Sequence, residues 1–183
     1  MAVKNLRELF IDELKDVCDA ETRLTKALPK LAKAASSKQL VKAFQDHLKQ
    51  TEGHLKRVEN ILESLEGSAA KKTCKAMVGL LAEGAELMNE GAPPELKDLM
   101  LIAAAQKVEH YEIATYGTLC AWGRELGEDK AVKQLEAILG EESAADALLT
   151  QIALPLTASC NEMDEEEDEE VMTTGRRGNS KRR

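Results

Sequence analysis

QKVEHYEIATYGTL, residues 106–119, reads as the middle of a long helix whose buried stripe is broken by acid. The stripe runs Ile102, Ala105, Glu109, Glu112, Tyr116, Leu119, at spacings of three and four, which is the period of one helix face. Glu109 and Glu112 stand three apart, within about 60° of each other by rotation. Carboxylates side by side on a face that should be apolar lose hydration and repel each other unless something positive lies between them.

Working outward, this helix is predicted over about 95–126. Gly91-Ala92-Pro93-Pro94 precedes it and Gly127 ends it, a restart signal and a stop signal. The next helix runs from about Asp129 to Cys160, with Pro155 bending its last turns and a stripe of Leu135, Leu139, Glu142 and Leu149. Upstream, Asn5 caps a helix predicted over about 5–35, with Glu8 three residues on. Its stripe is Leu6, Phe10, Leu14, Val17, Leu24, Leu28 and Leu31; Glu21 falls on the same side, and Pro29 is expected to bend it. Ser36 and Ser37 start a second helix, about 38–65, ended by Gly67 and striped Val41, Phe44, Leu48, Thr51, Leu55, Val58, Leu62, Leu65. A crossover from Gly67 to Pro94 contains a shorter helix, about 73–89.

Tight turns make each pair of long helices antiparallel, and the crossover lets the chain return along the bundle before the second pair. The expected fold is all-α, a ferritin-like four-helix bundle with a long crossover carrying a short extra helix. Aromatics are only 3% of the 183 residues, and the β-branched runs of a sandwich or barrel are missing. A bundle domain is expected over 1–161. From Glu162 to Glu170 eight of nine residues are acidic, and Arg176, Arg177, Lys181, Arg182 and Arg183 follow. Such charge runs bury no apolar surface, so 162–183 is expected to be disordered.

No apolar run reaches membrane-spanning length and the first residues lack a signal-peptide core, so a cytoplasmic protein is expected. Net charge −8 weighs against nucleic acid as a partner. Cys18, Cys74, Cys120 and Cys160 form no CxxC pair and are expected to be reduced core residues. A homodimer is expected, to cover the remaining apolar helix faces.

The acids also share a level. Glu21 lies 15 residues before the first turn, near residue 36, and Glu52 lies 16 after it. Glu112 lies 15 before the second turn, near 127, and Glu142 lies 15 after. Each is roughly 22 Å from its turn at the helical rise, so the carboxylates form one layer. Hard oxygen ligands in a bundle core suit a pair of iron or manganese ions. Glu52 is the outlier, about 80° from the centre of its stripe. His47 and His54 lie on the opposite flank of that stripe, as boundary histidines; His54 reaches the layer only if the helix is rotated. Tyr116, one turn beyond Glu112, either hydrogen-bonds a ligand carboxylate or packs in the core.

LRELFIDELKDVCDAETRLTKALPKLAKAA over 6–35, HLKQTEGHLKRVENI over 47–61, QKVEHYEIATYGTL, and LGEESAADALL over 139–149 together resemble the YciE/YciF stress-protein family of the ferritin-like superfamily. That family is similar to rubrerythrin-like di-iron proteins, which place Glu in helix 1, Glu-x-x-His in helix 2, Glu-x-x-Glu in helix 3 and Glu with further ligands in helix 4. The resemblance implies metal ligands Glu21, Glu52, Glu109, Glu112 and Glu142, with Glu109 and Glu142 bridging two iron ions; manganese is the alternative metal. It implies oxidation of Fe(II) by O2 or H2O2, or peroxide removal, under stress. The rival is a non-enzymatic helical stress or interaction protein with a vestigial site. Leu55 and Ala145 stand where the pattern has histidine. The ligand set is therefore all-carboxylate, or it recruits His54 or Asp146.

Overall fold

The computed structural model describes residues 3–66 and 72–161 in full. Five helices follow one another: α1 (Leu6–Ala34), α2 (Lys38–Glu66), α3 (Lys75–Asn89), α4 (Pro94–Glu125) and α5 (Asp129–Gly178). Side chains of α5 are described as far as Asn161, so the expectation of disorder over 162–183 lies outside the described residues. The same holds for Gly67 as the end of α2.

Local chemistry sets the ends. The Asn5 side chain accepts from the Glu8 backbone N–H at 2.8 Å, while Glu8 reaches back to the Lys4 N–H at 2.9 Å; these are donors that a helix start leaves unpaired. Gly127, at φ +70°, closes α4. Its N–H donates to the Arg124 carbonyl and that of Glu128 to the Gly123 carbonyl, the paired bonds of a glycine-terminated helix. Pro29 and Pro155 sit within α1 and α5 without ending them.

The start of α2 is held from a distance. Asp98, on the second turn of α4 and 1% exposed, accepts the Ser36 and Ser37 backbone N–H groups at 2.8 and 2.7 Å. A carboxylate there satisfies orphan donors and complements the positive end of α2. The contact ties the first hairpin to the second.

The first hairpin is α1 with α2, the second α4 with α5; α1 also packs on α4 and α2 on α5, and α3 lies against α4 and α1. Phe10, at the start of α1, shares a cluster with Leu119, near the end of α4, and with Val58 and Leu135. Leu28 and Leu31, near its end, share another with Leu40, Leu101 and Ile102. The neighbouring long helices are thus antiparallel, and α3 carries the chain from one end of the bundle to the other. This is the ferritin-like arrangement. Between the two apolar clusters lies a polar layer. None of the helices among the described residues is long and apolar enough to cross a membrane.

Candidate metal centre

Each long helix sends side chains into the layer: Glu21 from α1, His47 and His54 from α2, Glu109 and Glu112 from α4, Glu142 from α5. All six are buried, and Glu21, His54, Glu112 and Glu142 are 0% exposed. They form two overlapping groups whose ligand atoms all lie within 4.8 Å of one another. The first is His47, Glu109, Glu112 and Glu142; the second is Glu21, His54 and Glu142. Glu142 belongs to both.

Each histidine is anchored by its outer nitrogen. His54 Nε2 lies 2.6 Å from Glu141 Oε2, and Arg57 Nη2 donates to the same oxygen at 2.6 Å. Burial opposes ionisation of Glu141, but Arg57 and His54 outweigh it and hold the carboxyl below its usual range. A carboxylate only accepts, so Nε2 carries the proton of this bond. His54 Nδ1 then faces inward, 2.7 Å from Glu142 Oε1 and 3.6 Å from Glu21 Oε1. His47 repeats the device with its nitrogens exchanged. Nδ1 lies 3.3 Å from Gln50 Oε1, and Nε2 faces Glu109 at 3.3 Å and Glu142 at 3.5 Å. Outer-sphere bonds of this kind orient metal-binding imidazoles.

Among the described residues, eight buried side-chain nitrogen and oxygen atoms make no regular hydrogen bond, and all eight belong to these six residues; two of them, His54 Nδ1 and Glu142 Oε1, meet as an ion-pair contact at 2.7 Å. Both inner imidazole nitrogens are among them, as are both oxygens of Glu112 and of Glu142. Buried polar groups are almost always paired, so a concentration of orphans in one volume needs a further partner. Four carboxylates and two imidazoles are the donor set of the di-iron and di-manganese bundle proteins, here distributed differently among the helices. The residues present therefore fit a pair of such ions.

Without a positive partner Glu21, Glu109 and Glu112 resist ionisation. Burial pushes the Glu21 carboxyl up to about 8, against the opposing pull of His54. Glu109 and Glu112 are raised well above the usual carboxylate range, by burial first and then by neighbouring acids, Glu142 for Glu109 and Glu21 for Glu112. Burial lowers His47. It also works against charged His54, but Glu142 and Glu21 prevail and raise that ring.

One expected ligand is displaced. Glu52 is exposed on α2 and outside both groups. The buried face of α2 is Leu40, Phe44, His47, Thr51, His54, Val58, Ile61 and Leu62, while Leu48 and Leu55 on the other flank are only partly buried. With Thr51 and His54 turned inward, Glu52 points to solvent. The helix is rotated because imidazoles find carboxylate partners in the layer, whereas leucines there would leave the acids unmatched. The signal was present in the chain: His47 and His54 are seven apart, two turns on one face. Asp146 is half-buried, accepting from Gln106 Nε2 at 3.0 Å, and joins neither group. Tyr116 donates its hydroxyl to Glu21 Oε1, the hydrogen-bonding role. In α5, Ile138 takes the buried place expected of Leu139, which is only partly buried.

Comparison with known proteins agrees with this fold. The family model described as "Domain of unknown function (DUF892)" matches residues 5–162. Protein YciF of Escherichia coli is 44% identical over 155 residues, 84% of this chain and 93% of that one. The crystal structure of the E. coli stress protein YciF superposes with a TM-score of 0.82 at 43% identity, covering 85% of this chain and 99% of that one. YcfI from Rhodopseudomonas palustris superposes at 0.78 with 37% identity, over 81% and 94% of the two chains. A protein from Xanthomonas campestris, 20% identical with a TM-score of 0.70 over 88% and 99%, shares the fold. With its bundle architecture and this extent of identity, the chain belongs to the DUF892 family that includes YciF.

Proposed function

We propose that this protein is a di-metal carboxylate protein that binds two iron ions, with manganese the alternative, and oxidises Fe(II) with O2 or H2O2. The description of its E. coli relative as a stress protein is consistent with a part in iron or peroxide handling. The observation that carries the reading is the pair of buried histidines. Each has its outer nitrogen tied to a side-chain oxygen and its inner nitrogen directed at buried glutamates. A hydrophobic core has no use for that arrangement, and a cation-binding one does.

The side chains divide the work. Glu142 belongs to both groups, so it would be the residue shared by two bound ions. Glu109, Glu112 and His47 complete one position, and Glu21 with His54 the other. Tyr116 holds Glu21 by one oxygen and leaves the other free. Redox-active ions held there would supply electron transfer between Fe(II) and the oxidant. The six side chains are buried between the two apolar clusters, so their charges are weakly screened.

The test is metal content and Fe(II) oxidation for alanine variants of the six residues. Glu142→Ala is expected to lose both metal equivalents; Glu21→Ala and His54→Ala are expected to lose one; Glu52→Ala is expected to lose none. Retention of full metal content by Glu142→Ala would sink the di-metal reading. If metal binds but wild type oxidises Fe(II) no faster than buffer, the site stands and the ferroxidase activity does not.

A further inference from the structure

A cavity of about 340 Å³ opens between α1, α3 and α4, and its lining includes His47 and Glu109 of the candidate centre. That size lies at the lower end of the range for small-molecule sites. Its walls are apolar: Leu24, Leu28, Leu80, Leu81, Met88 and Val108. Gly84, Ala85, Ala104 and Ala105 hold the walls back. The short helix α3 is apolar in composition yet buries only Met77 and Gly84. Leu80, Leu81 and Met88 remain half-buried against the core, because they face this space instead of another helix. Half-buried apolar surface around a void is stabilised by an apolar occupant.

The mouth has one sign of charge beyond what is already matched. Arg23 is committed to Asp19 at 2.6 Å. Lys26 and Lys30, four residues apart on one face of α1, also line the cavity. Both are exposed, and among the described residues neither makes an ion pair. An apolar cavity with two uncommitted ammonium groups at its rim suits a chain-like molecule with an anionic head.

We propose that this cavity binds a medium-chain aliphatic carboxylate, its head at Lys26 and Lys30 and its hydrocarbon tail running inward toward His47 and Glu109. Binding needs only the cavity. The nearness of the tail to bound metal rests on the di-metal reading above.

Calorimetric titration of the metal-free, full-length protein with decanoate tests it, with decylamine and acetate as comparison probes. Saturable binding of one decanoate per chain is expected, with decylamine and acetate much weaker. The double variant K26E/K30E should weaken decanoate by about tenfold, as expected for two solvent-exposed ion pairs. Gly84→Leu, which places a side chain in the cavity, should abolish binding. Gly84 has room for a first carbon, its nearest neighbour being Ala104 Cβ at 3.8 Å; circular dichroism checks that the variant folds, and Ala85→Leu serves as a second filler. Absence of saturable decanoate binding, or decylamine binding as well as decanoate, would overturn the proposal. In Mn(II)-loaded protein, paramagnetic broadening should be stronger at the terminal methyl of decanoate than beside its carboxylate. The reverse order would overturn the orientation. If decanoate binds while the protein retains no metal, the di-metal reading fails and the cavity proposal stands.

Discussion

The Glu141 side chain lies outside both ligand groups and bonds to His54, where it decides which nitrogen of that ring faces inward. Its carboxylate, held by Arg57, keeps the proton on Nε2 and leaves Nδ1 directed at Glu142 and Glu21. Glu141→Gln keeps the shape and removes the charge. The expected result is metal affinity at the Glu21–His54 position reduced by about 10–100-fold, the usual effect of losing such a partner. Affinity at the His47 position should be unchanged. Competition against a coloured chelator, read as two successive binding steps, checks this. Equal weakening of both steps would mean that Glu141 acts on the whole layer instead of on one ring.

At the scale of the element, α2 shows how a helix face is chosen. The line Phe44, Thr51, Val58 has two flanks, one with Leu48 and Leu55, the other with His47 and His54. Hydropathy favours the leucines. The glutamates opposite favour the histidines, and the second preference wins because unpaired buried carboxylates cost more than partly exposed leucines. The start of the same helix depends on α4 through Asp98. Replacing it with Ala removes two bonds to a buried carboxylate and leaves the Ser36 and Ser37 N–H groups unmatched. Asp98→Ala should destabilise the protein by about 1–3 kcal/mol, measured by urea unfolding at fixed pH. Asp98→Asn, which retains an acceptor, should lose less. A change below the error of the measurement would show that water replaces the carboxylate at this turn.

Across the whole molecule, a polar layer between two apolar clusters makes stability depend on pH and on metal together. Glu21, raised to about 8, and Glu109 and Glu112, also raised, hold protons in the folded apo protein that the unfolded chain has released. The penalty is absent below the ordinary glutamate value near 4.5, grows as pH rises, and is complete above the folded values. Raised His54 acts in the same direction, since its stabilisation is present below its unfolded value and lost as pH rises through the folded one. Lowered His47 acts in the opposite direction but is one group against four, so the apo protein should lose melting temperature from about pH 5 to about pH 8. Metal binding displaces those protons, so its stabilisation should grow over the same range. Thermal melts with and without Mn(II) across this range check both statements. A flat apo profile, or a metal effect that shrinks as pH rises, would contradict them.

Much of this protein was determined by the chain alone. Long runs of helix-forming residues, Asn5 with Glu8, the turn at Ser36 and Ser37, Gly127 and the proline pair at the start of α4 are local signals, and each acts within a few residues of itself. They define five helices and, through the lengths of the connections, the pairing of the bundle. Glu21, Glu109, Glu112 and Glu142 were also legible, because an acid on an apolar stripe stands out against helical periodicity and their distances from the turns match. The rotation of α2 was not. Its two candidate faces share Phe44, Thr51 and Val58, and residue-by-residue hydropathy ranks leucine above histidine. Only packing against α1, α4 and α5 brings the carboxylates to His47 and His54, turns Glu52 to solvent, and places Glu141 where it orients a ring 87 residues away in sequence. An imidazole's preference for a buried position depends on the partner it meets there, and that partner comes from another helix.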